Sequence, residues 1–316
     1  MISKLNRALK KLIFILWEVF IIGLFSGFKK NSLIKKGIEF EEQGKYQEAL
    51  ECYDEILKID PKYAKAWYNK GVTFGKMGKS EDALSAYDNA LELDPKDVKS
   101  WYNKAITLEK FGKYKNAIEC YDNALNLDPS MYQLWNNKGN ALGNLGKNEE
   151  AILCYNKSIE LDPNKFRAWY NKGNVLKDLE RFEEAIECYN KAVNLDSKYV
   201  DAWFNKGIVL GNLGKYNEEL ECFDKALELE PMNAKIWLVK GLVFLQGDKY
   251  VYALDCLDKA LKIDPQYIMA YYYKGIVLGE LEKNQEALKC LTKTLELDPD
   301  FEPAKKAKKA ILSYKS

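Results

Sequence analysis

Apolar residues recur along this chain on two nested scales. Over ten to fifteen residues they fall three or four apart, the period of one face of an amphipathic helix. Over a longer distance the whole pattern repeats. Trp67, Trp101, Trp135, Trp169, Trp203 and Trp237 follow one another at a constant step of 34 residues, Tyr271 continues the series and Leu33 precedes it. With these residues set at position 4, eight repeats run without insertion or deletion from Lys30 to Phe301. Self-similarity at a fixed period of this size marks a solenoid.

The other positions read as two helices per repeat. Position 8 is Gly except at Ala105, and position 11 is always Phe or Leu. Positions 4, 8 and 11 share one helical face. Position 20 is Ala except at Glu219, position 24 runs as Tyr, Phe or Leu from Tyr53 to Leu291, and position 27 is mostly small. These three share a face of a second helix. Small residues at 8 and 20 let two helices approach, and the aromatics at 4 and 24 are expected to fill the volume between them. Gly44, Gly78, Gly112, Gly146 and Gly214 near position 15 end first helices. An acidic residue and Pro at positions 31 and 32 end second helices, with Ser197 the exception to Pro. The expected fold is all-α, built from tandem helix-turn-helix repeats.

These residues, over about 86% of the chain, resemble the tetratricopeptide repeat family. The resemblance implies antiparallel helix pairs stacked into a right-handed α-solenoid superhelix. It also implies that peptides or protein segments bind on the concave face and that the array assembles complexes without being an enzyme.

Composition narrows the chemistry. The chain has 48 Lys+Arg, 47 Asp+Glu and no His, for a formal charge of +1. Without His the commonest general base and metal ligand are missing, so Ser-His-Asp, Cys-His and HExxH chemistry are excluded. No catalytic residue, metal site or cofactor is expected. Cys52, Cys120, Cys154, Cys188, Cys222, Cys256 and Cys290 all fall at position 23. Equivalent atoms of neighbouring repeats lie too far apart for disulfides, and no CxxC pair offers a zinc site. They are expected to be small packing residues, and unpaired thiols place the array in a reducing, cytoplasmic compartment.

The ends depart from the repeat. Residues 302–316 alternate Ala with Lys and are expected to form a solvating cap helix. Residues 1–29 place Lys4, Arg7, Lys10 and Lys11 before an apolar run, residues 12–28, that only Glu18 interrupts. This run is near the short limit of a membrane span. Three readings follow: a membrane anchor, a cap packed on the open end of the first repeat, where Leu33 and Phe40 face outward, or a cleaved signal. The anchor leaves the chain membrane-associated with its array in the cytoplasm; the cap leaves it soluble there.

Two ladders could carry binding. Position 7 is Lys in all eight repeats, from Lys36 to Lys274, and position 31 is always acidic. The expected arrangement pairs each Lys with a carboxylate near a helix end, and the alternative is a basic stripe. Position 6 is Asn69, Asn103, Asn137, Asn171 and Asn205, with Asn140 and Asn174 at position 9. Position 5 beside it holds Tyr68, Tyr102, Tyr170, Phe204 and Tyr272. In the resembling family, positions 2, 5, 6, 9, 12 and 13 line the concave groove. An Asn row there looks like the one that grips extended peptide backbones in protein O-linked sugar transferases. A side-chain amide donates and accepts, so it can satisfy a peptide unit whatever its side chain. Alternatively, the amides bridge helices within the stack. The family's two-carboxylate clamp is absent, because position 5 lacks basic residues. The expected function is a non-enzymatic scaffold binding an extended protein segment. Single-stranded nucleic acid on the Tyr and Lys rows is the alternative, opposed by the array's acidity.

Overall fold

The computed structural model describes residues 27–313. Among the described residues there are 17 helices and no strand. Helix α1 covers 27–42. The later first helices of the repeats are α3 (Ala64–Lys76), α5 (Val98–Lys110), α7 (Tyr132–Asn144), α9 (Phe166–Asp178), α11 (Val200–Asn212), α13 (Ala234–Gln246) and α15 (Ile268–Glu280). The second helices are α2 (Tyr46–Ile59), α4 (Ser80–Leu93), α6 (Tyr114–Leu127), α8 (Asn148–Leu161), α10 (Phe182–Leu195), α12 (Tyr216–Leu229), α14 (Tyr250–Ile263) and α16 (Asn284–Leu297), and α17 (Glu302–Ser313) closes the series. The chain divides after Leu161 into two compact halves. Within each, every first helix packs on the second helix of its own repeat.

Position 15 stops the first helix by entering the left-handed region, with φ of 67–75° at the five glycines. Glu180, Asp248 and Glu282 make the same turn at φ 57°, 53° and 60° without glycine's freedom. The position 31 carboxylate folds over the next turn instead of reaching the position 7 lysine, although Asp60 also pairs with Lys30 at 2.7 Å. Asp60 accepts from the Lys62 backbone N–H at 3.2 Å, and Asp94 accepts from Lys96 at 3.1 Å. This local competition of Asp for backbone donors ends the second helix and corrects the expected Lys pairing.

The core lies between the two helices of a repeat. Tyr53, Tyr87, Tyr121, Tyr155, Tyr189 and Phe223 at position 24 are at most 3% exposed, and the position 20 alanines are fully buried. Each ring of this row except Tyr121's lies across the glycine at position 8; a Cβ added at Gly71 would stand 2.5 Å from Tyr87 Cε1.

The tryptophans pack at the edge of that volume, against the buried core residues. They are half-buried, and each indole N–H reaches back to the position 32 carbonyl of the preceding turn, at 2.9–3.2 Å. Over each ring, at 5.0–6.0 Å, sits the position 7 lysine ammonium. Position 4 therefore packs against the core, as expected, and in addition staples the turn between repeats.

The same lysine ties neighbouring repeats. Lys70 meets Asp54 at 2.6 Å, Lys104 meets Asp88 at 2.6 Å, Lys138 meets Asp122 at 2.5 Å and Lys274 meets Asp258 at 2.5 Å; Lys240 pairs with Asp224. The partner is position 25 of the preceding second helix. Asn190 replaces that Asp opposite Lys206, which makes no ion pair among the described residues.

At the amino end of the described residues, Ile34 is buried, and Leu33 and Phe40 pack with Tyr53, Ile56 and Ala66. Of residues 12–28, all but Gly27 and Phe28 lie outside the described residues. No described helix is long and apolar enough to cross a membrane. At the other end α17 takes the place of a ninth first helix: Ala304 is fully buried, and Lys308 reaches Thr292 Oγ1 at 2.9 Å, as a position 7 lysine would. Its far side shows Lys305 and Lys309 where a second helix would pack.

Candidate interaction face

The asparagine row lies on the first helices, half-buried, at the boundary between neighbouring repeats. Asn103 Nδ2 donates to the Tyr68 hydroxyl at 3.1 Å, Asn137 to Tyr102 at 3.2 Å and Asn205 to Tyr170 at 3.0 Å. Each rung thus joins position 6 of one repeat to position 5 of the repeat before it. The tyrosine rings lean on the position 24 ring of their own repeat, with centroids 6.3, 6.4 and 6.0 Å apart for Tyr68–Tyr87, Tyr102–Tyr121 and Tyr170–Tyr189. Burial raises the pKa of Tyr68, Tyr102 and Tyr170, so the hydroxyls stay neutral.

The position 9 amides are also engaged. Asn140 Oδ1 accepts from Tyr155 at 2.9 Å, and Asn174 Oδ1 accepts from Tyr189 at 2.8 Å and from Asn205 Nδ2 at 3.1 Å. Asn171 is half-buried and has interactions of its own. Asn69 begins the row differently. Ile34 stands where its tyrosine would be; Asn69 is 7% exposed and its Nδ2 has no partner. The amides therefore bridge repeats and, where half-exposed, still face solvent. Asn103 is held by its bond to Tyr68, Asn137 also accepts from Asn136 Nδ2 at 3.1 Å, and Asn205 donates to both Tyr170 and Asn174, yet an amide has more capacity than these bonds use.

Sequence reasoning gave no role to three carboxyl groups, two buried and one, Glu109, half-buried. Glu41, 8% exposed, accepts from Tyr53 at 2.8 Å, Thr73 at 2.7 Å and Lys76 at 2.7 Å. Glu109 accepts from Tyr121 at 2.9 Å, and burial raises its pKa. Glu219 stands where every other repeat has Ala; it is 6% exposed, against Gly211, and burial pushes its pKa up to about 7. The first two sit in the fold as tyrosine acceptors. The signal for the third was visible as the single break in the position 20 column.

Little of the described surface suggests covalent chemistry. The seven cysteines are free thiols, and burial pushes those at 120, 154, 188, 222 and 256 up to about 11, far from the nucleophilic thiolate. No group of His, Cys, Asp and Glu among the described residues could hold a metal ion. The half-buried position 5 rings lean on neighbouring rings, and five of the eight position 7 lysines are paired with Asp.

Comparison with known proteins supports the same architecture. Tetratricopeptide repeat models match at 37–78, 64–97, 98–131, 139–180, 173–214, 200–233 and 270–301. Among solved structures, YrrB, described as a TPR protein with an unusual peptide-binding site, is 28% identical over 61% of this chain and 99% of its own, with a TM-score of 0.51. PilF of Pseudomonas aeruginosa is 20% identical over 67% of this chain and 96% of its own, at 0.57. A chain of the APC/C hetero-tetramer Cut9-Hcn1 is 18% identical over 90% of this chain and 57% of its own, at 0.56. The last two likenesses concern the fold alone. No curated protein matches. The repeat period, the helix pairs and the matched stretches agree, and the chain belongs to the tetratricopeptide repeat family.

Proposed function

We propose that the chain is a non-enzymatic scaffold whose first helices grip extended partner protein segments through their amides, Asn103 and Asn137 in the first half and Asn205 in the second. Proteins of this family typically mediate protein–protein interaction. The observation that carries the finer reading is the fixed presentation of Asn103, Asn137 and Asn205. Each is oriented by a tyrosine of the preceding repeat and each remains half-exposed. Such preorganisation lowers the entropy lost on binding. The peptide-binding site in the description of YrrB gives the reading a precedent in a related fold. Tethering at residues 12–28, with the array on the cytoplasmic side, belongs to the same proposal and rests on sequence; a carbonate wash that frees the full chain from membranes would refute it.

The groove is tested with a partner captured on residues 30–316. Asn103→Ala, Asn137→Ala and Asn205→Ala together should weaken binding about 10- to 1000-fold, from roughly 0.5–1.5 kcal/mol per hydrogen bond. Tyr68→Phe, Tyr102→Phe and Tyr170→Phe remove the bonds between repeats but keep the amides. If both triple variants lose equal affinity and equal stability, the row is only structural.

A further inference from the structure

The face changes character at its carboxyl end. Past Asn205, position 6 becomes Val239 and then Tyr273, while position 9, which is Asn only at Asn140 and Asn174, stays apolar as Leu242 and Ile276. Between α15 and α17 the same face opens into a cleft of about 510 Å³. Its floor is Ile276, Gly279, Ala307, Ala310 and Ile311. Ile276 and Gly279 hold positions 9 and 12 of the eighth repeat, and Ala307 and Ala310 hold positions 6 and 9 of the helix that follows. The cleft is thus a continuation of the face that carries the amides in earlier repeats.

Two features decide what fits. First, the cleft is open over Gly279, which has no side chain to fill it. A Cβ added there would meet only Ile311 Cδ1, at 3.7 Å, an ordinary contact. The space therefore accepts a bulky apolar group from outside without displacing the fold. Second, the rim is acidic. Glu280 and Glu282 line the cleft, both are exposed, and among the described residues no cation lines it with them. Neither carboxylate has an ion-pair partner among the described residues. Helices α15 and α17 both run out beside the cleft, and the negative end of a helix dipole favours a cation.

We infer that this cleft recognises a partner segment in which a bulky apolar side chain is flanked by Lys or Arg. The apolar side chain enters over Gly279, and the cation meets Glu280, Glu282 and the helix ends. This assignment rests on the reading that the first-helix face takes an extended segment, and it supplies the sequence preference that a row of amides, which reads backbone, cannot.

The test uses the full chain and three labelled twelve-residue peptides, followed by fluorescence anisotropy. One has a central Leu-Phe flanked by lysines, the second has glutamates in place of the lysines, and the third has serines in place of Leu-Phe. The lysine–apolar peptide should bind about tenfold tighter than either control, and the preference should shrink with added salt. Gly279→Leu, which fills the cleft and favours the helix, should weaken it at least tenfold with an unchanged circular dichroism spectrum. Glu280→Gln with Glu282→Gln alters only exposed side chains and should abolish the preference for lysine over glutamate, so the proposal stays testable if Gly279→Leu misfolds. Equal affinity for the three peptides, or full binding by both variants, overturns the assignment. A partner that still depends on Asn103, Asn137 and Asn205 while ignoring Gly279 and the two glutamates would leave the amide reading standing and remove this one. The reverse pattern would remove the amide reading.

Discussion

Gly71→Ala sets two effects of known sign against each other. Ala is the better helix former by about 1 kcal/mol in a helix interior. The new methyl would stand 2.5 and 2.6 Å from the Tyr87 ring, which is 3% exposed and cannot swing into solvent. Overpacking of an enclosed site costs roughly 1–3 kcal/mol, and contacts this short against ring carbons belong near the upper end. The expected net change is a loss of about 2 kcal/mol. The seventh repeat provides the control. There Leu257 replaces the ring, and a Cβ at Gly241 would lie 3.3 Å from its nearest neighbours. A few tenths of an ångström relieves that, so Gly241→Ala should be neutral or more stable by up to about 1 kcal/mol. Tyr87→Leu combined with Gly71→Ala should recover part of the loss, giving a coupling energy that neither single variant predicts. Ala105 facing Tyr121 shows that a helix pair can accommodate the methyl when its spacing is built for it. Native-state hydrogen exchange of α3 and α4 amides is the suitable assay, because repeats melt in local units. Equal protection in Gly71→Ala and wild type, with loss of protection in Gly241→Ala, would refute the close-approach argument.

Two further predictions concern buried polar groups. Glu219 has its pKa raised from an ordinary 4.5 to about 7, so the folded state holds a proton that the unfolded chain releases. The group is harmless below pH 4.5 and increasingly destabilising up to pH 7, where it costs about 2–3 kcal/mol. Glu219→Ala should stabilise the chain above pH 7 and flatten the slope of chemical stability between these limits; parallel curves for variant and wild type would contradict it. Asn69→Leu removes a buried Nδ2 that has no acceptor, beside Ile34, and should be neutral or stabilising by about 1–2 kcal/mol in urea titrations. A loss above about 1 kcal/mol would mean that the amide has a role the fold does not display.

The helix pairs were legible because one column of residues constrains each turn of each helix. Gly at position 15, Ala at 20 and the ring at 24 each answer to a single local requirement. The rungs between repeats were harder to see, since a contact spanning 35 residues joins different columns. A signal was there: where Phe204 and Leu238 lack a hydroxyl, position 6 of the next repeat is Val239 and Tyr273 rather than Asn. The tryptophan's second role, as a staple of the turn, was missed for a related reason. An indole is apolar enough to read as core, but its N–H needs an acceptor, and the nearest one is the carbonyl of the turn outside the helix pair. The Lys–Asp ladder was assigned to the wrong acid because two acidic columns, 25 and 31, were available and the nearer helix end looked sufficient. Whether the amides also hold a ligand was never a question of pattern, because a bridging amide and a binding amide are the same residue at the same position.

The stapled indoles make the array a string of matched optical reporters. Six of them share a carbonyl on the ring N–H and an ammonium over the ring face, and only Trp237 carries a second ammonium, from Lys259 at 4.5 Å, among the described residues. Their emission in the intact chain is therefore nearly degenerate and says little about which repeat has opened. Tyr271 shows that the column tolerates a phenol in the same place. Converting all but one of the column's tryptophans, and Trp17, to Tyr would leave a single lamp that can be moved along the chain in steps of one repeat, so that fraying from either end becomes a matter of which lamp dims first.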